Sequence, residues 1–99
     1  MKVRWTEPAA ANWEQAFEYI AQDNFTAALA IAEKIIDVTE MLGVHPHAGR
    51  PGRIAGTREL VISDSPFILV YGVDAAEGVI WIYAVYHGRR RWPERFPQK

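Results

Sequence analysis

The chain has no cysteine. That excludes a disulfide framework and any chemistry that needs a thiolate. No apolar run approaches the roughly 20 residues that a bilayer-spanning helix needs. The amino terminus, Met1-Lys2-Val3-Arg4-Trp5-Thr6-Glu7, has no apolar core of a signal peptide. Together these absences predict a soluble, cytoplasmic protein with no membrane partner. A surplus of positive charge is missing too, since the formal net charge is −1. Proteins that grip nucleic acid through its phosphates carry many unbalanced lysines and arginines. Repeats, low-complexity segments and interdomain linkers are also absent. The 99 residues therefore read as one domain, 1–99, large enough to bury a single core.

The near-neutral total hides an asymmetry. Residues 1–49 hold three basic and seven acidic side chains, whereas residues 50–99 hold eight basic and five acidic ones. The positive charge gathers at Arg50, Arg53 and Arg58 and again at Arg89, Arg90, Arg91 and Arg95. Such a distribution points to an acidic or polyanionic partner for the second half, against the plainer alternative of a solvated surface.

Lys2-Val3-Arg4-Trp5 alternates polar and apolar residues, as a short first strand does. Thr6 followed by Glu7 and Pro8 is a helix start, with an N-cap oxygen, an acid facing the dipole and a proline where no donor is needed. Trp13, Phe17 and Ile20 then fall at helical spacing over about 9–22. Asp23-Asn24 interrupts the pattern, and Asn24 or Thr26 can cap a second helix over about 25–42. The predicted stripe of that helix is Ala28, Leu29, Ala32, Ile35, Ile36, Thr39 and Leu42. So short a link makes the two helices an antiparallel hairpin. Gly43 is read as the glycine that ends the second helix.

A Gly/Pro-rich loop follows from Val44 to Gly56. Its two histidines, His45 and His47, have no third ligand nearby, so no metal site is predicted. Thr57–Ser63 and Phe67–Val73 read as strands. Val79–His87 is nearly unbroken apolar, branched and aromatic, and reads as a strand buried on both faces. Short turns join these three strands into an antiparallel meander. The predicted fold is α+β: an N-terminal strand, an antiparallel helix hairpin, then a three-stranded meander with the hairpin on one face. Residues 88–99 form a basic, aromatic tail whose aromatics are placed to cover a sheet edge.

The order of elements carries a further pattern: Gly56-x-Arg58-x-Leu60, then Ile68-x-x-Tyr71-x-Val73, then Ile80-x-Ile82-x-x-Val85-x-His87-Gly88-x-Arg90. Over nearly the whole chain this resembles the RelE/ParE superfamily of bacterial toxins from type II toxin–antitoxin modules. The resemblance implies a growth-inhibiting toxin neutralised by a cognate antitoxin, which contacts operator DNA through its own N-terminal part. Two branches are implied. ParE-like members bind DNA gyrase and block it, without bond-breaking chemistry of their own. RelE-like members cleave mRNA in the ribosomal A site. Neither mechanism implies a metal or an organic cofactor.

Cleavage by a 2′-OH needs a base, an acid and positive charge on the phosphorane. The resemblance assigns Arg58 to the scissile phosphate and places His87 near the position of a catalytic His or Tyr; Arg90, as a guanidinium that forks onto phosphate oxygens, is the further candidate cation. Tyr86 offers a hydroxyl or a stacking face. The alternatives are a strand-end role for His87 and a loop-bracing role for Arg58. Glu59 points to the opposite face from Arg58, so it is not paired with it as a base. The charge balance favours the ParE-like branch. There Arg53, Tyr86, Arg89, Arg91, Trp92 and Arg95 are the candidate contacts to the antitoxin or the target. An antitoxin strand on a sheet edge and a helix across the hairpin are the expected modes.

Overall fold

The computed structural model describes residues 1–88. Strand β1 (Lys2–Trp5) leads into helices α1 (Glu7–Asp23) and α2 (Phe25–Val44). Four further strands follow: β2 (Arg50–Pro51), β3 (Arg58–Val61), β4 (Phe67–Asp74) and β5 (Val79–His87). The five strands make one sheet in the order β1-β5-β4-β3-β2. β3, β4 and β5 form the expected antiparallel meander, and β1 adds parallel to β5.

Thr6 and Asn24 set the helix boundaries. The Thr6 hydroxyl accepts from the Ala9 N–H at 3.1 Å, and the Thr6 N–H donates to the Ile82 carbonyl at 3.1 Å. One residue thus ends the β1–β5 ladder and caps α1. Asn24 closes α1 through its N–H to Ile20 and opens α2 through its side chain to Ala27. No helix among the described residues is long and apolar enough to cross a membrane.

The core lies between the hairpin and one face of the sheet, with Ala9, Ile35, Leu42, Ile62, Leu69, Tyr71, Ile80 and Ile82 at its centre. The stripe that α2 buries is narrower than the sequence suggests. Ala28, Ile35 and Leu42 are buried, whereas Leu29 and Ile36 remain 43% and 56% exposed. Ile31, Val38 and Met41 complete the inward row instead, at the three- and four-residue steps one helix face allows.

Three other expectations change. Gly43 does not end α2; the helix runs to Val44 and His45 caps it. Gly43 serves close approach, because its carbonyl accepts from the Met1 ammonium at 2.7 Å and a Cβ there would sit 3.0 Å from the Met1 carbonyl oxygen. The 44–56 segment is not all loop, since Arg50–Pro51 pairs with Arg58 and Glu59 as an edge strand. The strand buried on both faces is β4, not β5. β4 supplies Phe67, Leu69 and Tyr71 to the main core and Ile68 and Val70 to a second cluster on the other face, while β5 alternates. Central position, not composition, makes the difference: β4 is the middle strand, with two strands on each side, whereas β5 has only the edge strand β1 beyond it.

Candidate functional site

The Gly/Pro-rich segment is held to the sheet by three side chains. Tyr71, with no exposed surface, accepts from the Gly49 N–H at 2.8 Å and donates to the Pro46 carbonyl at 2.9 Å. Arg58 donates to the Gly49 carbonyl at 2.6 Å and lies 3.5 Å from that of His47. On the other face, Glu59 is 3% exposed and receives the Arg53 N–H at 2.7 Å. It also pairs with Arg50 at 3.3 Å and with the Arg53 side chain at 3.4 Å. The guanidinium of Arg58 thus braces the loop, its plainer alternative, and Arg53 joins the Glu59 clamp.

Arg58 and His87 are not brought together. Arg58 is in register with Tyr71, whereas His87 is in register with Phe67, four residues along β4 and on its far side. At about 3.3 Å per residue and about 4.8 Å per strand, their backbones are roughly 16 Å apart. Each side chain is engaged at its own end of the sheet, Arg58 with the Gly49 carbonyl and His87 against the Phe67 ring. Tyr86 and His87 also diverge. Tyr86 packs with Ile68, Val70 and Ala84, while the His87 ring stands edge-on to Phe67 at 6.1 Å. Arg89, Arg90, Arg91, Trp92 and Arg95, with the rest of the proposed edge-covering tail, lie outside the described residues.

His87 instead borders an apolar groove of about 540 Å³ between the hairpin and the end of the sheet. Tyr19, Ile20, Ile31, Phe67 and Val85 line it. Asn12 fixes its floor by accepting from the Val85 N–H at 2.8 Å, at a point where β1 has already turned away from β5. Tyr19 is 75% exposed at the rim, and Phe25, Leu29 and Ile36 continue an exposed apolar strip along α2. A face of this kind suits an apolar or amphipathic segment of another protein. Sequence reasoning had no role for Tyr19, Asn12 or Glu59. The available signals were an aromatic residue off the predicted stripe and a polar one near it.

Comparison with known proteins follows the same line. The family model described as "ParE toxin of type II toxin-antitoxin system, parDE" matches residues 3–92. The protein "Putative toxin Y4kP" of Sinorhizobium fredii is 34% identical over 93 residues, covering 94% of each chain. Among solved structures, a chain of the chromosomal ParDE TA system from P. aeruginosa superposes with a TM-score of 0.75 at 24% identity, covering 88% of this chain and 95% of that one. The last comparison shows the fold.

Proposed function

Because the chain belongs to the ParE toxin family of type II toxin–antitoxin systems, we propose that it inhibits DNA gyrase by binding, in the cytoplasm, with a cognate antitoxin holding it inactive. The observation that carries the reading is the family match over residues 3–92. The state of Arg58 supports it: its guanidinium is committed to loop carbonyls and stands far from His87. In this reading the two residues have structural or binding roles, and no bond is made or broken.

The antitoxin presents an extended, acidic and apolar C-terminal segment. Its apolar side chains sit in the groove between Tyr19 and His87, and its acidic ones meet the basic tail of Arg89, Arg91 and Arg95, with Trp92 as an aromatic anchor. Arg53 and Tyr86 contribute at the sheet. The test is to induce the protein without antitoxin and pulse-label DNA and protein synthesis separately, alongside a supercoiling assay with purified gyrase. The expected result is early arrest of DNA synthesis and loss of supercoiling. Collapse of protein synthesis first, with cleaved mRNA on ribosomes, overturns the reading.

A further inference from the structure

One end of the sheet carries a second cleft, on the face away from the helices. It encloses about 300 Å³ and is lined by Trp81, Tyr83, Gly72, Asp74 and Gly56 among others. Its shape follows from the register. Val70 pairs with Ala84 and Tyr71 with Ile82, which leaves Tyr83 as an extra residue in β5. Such a bulge re-aims the side chain it carries. The Tyr83 ring lies over Gly72, where a Cβ would come within 2.7 Å of its Cε2. Trp81 is half-buried on the same side, directly across from Gly72.

Asp74 is the charged group of this lining. One of its oxygens accepts from the Glu77 N–H at 3.1 Å. No ion pair to Asp74 occurs among the described residues. Arg4 lies in register beside Trp81, Lys2 beside Val79, the partner of Asp74, and Arg58 beside Tyr71 on β4, and none of the three makes an ion pair among the described residues. Two aromatic rings beside a half-buried carboxylate repel anions and attract cations. A planar guanidinium fits such a place better than an ammonium, because it can stack on a ring and fork onto the carboxylate together.

We propose that the cleft between Trp81, Tyr83 and Asp74 receives an arginine side chain presented by a partner protein. This goes beyond the gyrase reading and does not depend on it, because the cleft can be assayed on the isolated full-length chain. The experiment follows Trp81 indole and Gly72 and Ala75 amide resonances while adding Nα-acetyl-arginine amide, its neutral citrulline counterpart, or Nα-acetyl-lysine amide. Saturable shifts with the arginine probe are expected. Asp74→Asn, with an otherwise unchanged spectrum, should weaken binding about tenfold or more, as loss of a charge-assisted bond does. Citrulline or lysine binding as well as arginine overturns the assignment. So does the absence of saturable shifts at these positions with tens of millimolar arginine probe.

Discussion

Tyr71→Phe removes one oxygen from a side chain that has no contact with solvent. That oxygen joins β4 to the 44–56 segment twice, through the Gly49 N–H and the Pro46 carbonyl. Each bond contributes about 1 kcal/mol net, and a buried donor left unpaired costs about 1–3 kcal/mol. Gly49 is buried, and a Cβ there would come within 2.8 Å of the Tyr71 hydroxyl, so the space is already filled. Pro46 is half-buried and can recover part of its loss through water. The net destabilisation should be about 2–3 kcal/mol, which for a domain of this size lowers Tm by about 10–20 °C. Urea unfolding of both proteins measures it, and amide exchange at Gly49 should accelerate more than exchange in β5. A loss below about 0.5 kcal/mol, with Gly49 still protected, would refute the reasoning, since it would mean that water replaces the hydroxyl.

Four further outcomes are expected. Glu59→Ala should cost about 1–3 kcal/mol in urea unfolding, because it strips the acceptor from the Arg53 N–H. Arg50→Ala should cost under about 1 kcal/mol, because its side chain is 63% exposed and its pairing is screened. Equal losses would contradict that asymmetry. Asn12→Ala leaves the Val85 N–H without its acceptor and should cost about 1–2 kcal/mol, with faster amide exchange at Val85. Burial and then the nearby Asp74 charge raise the Tyr83 pKa above 10.0, since both disfavour the phenolate. The folded state therefore holds this proton more tightly than the unfolded chain does. Its contribution is fully present below pH 10 and is lost as the pH rises through the folded value. Ultraviolet titration should show Tyr83 ionising late, and Tyr83→Phe should remove that late component.

The parts of the fold that were legible in the sequence are those with local causes. Thr6 and Asn24 cap helices because a short oxygen side chain reaches an N–H three residues on. The meander was readable because its turns are short, and the two-residue β2 was not because so brief a strand has no period. Gly43 misled because glycine serves two purposes, and here it is close approach rather than a left-handed turn. The motif residues Arg58 and His87 carried the family resemblance, but their mutual distance depends on register, which no motif encodes.

By itself, then, the sequence determined the order of every element but β2, the hairpin and the superfamily, since periodicity, caps and turn residues act over a few positions. The tertiary structure alone decided that β4 lies at the centre, that Arg58 braces a loop, and that His87 borders an apolar groove. It also made the aromatic cleft, because one extra residue in β5 aims Tyr83 over Gly72. Each of these depends on which strands lie side by side and in what register. Those are long-range choices, fixed only when the whole core closes.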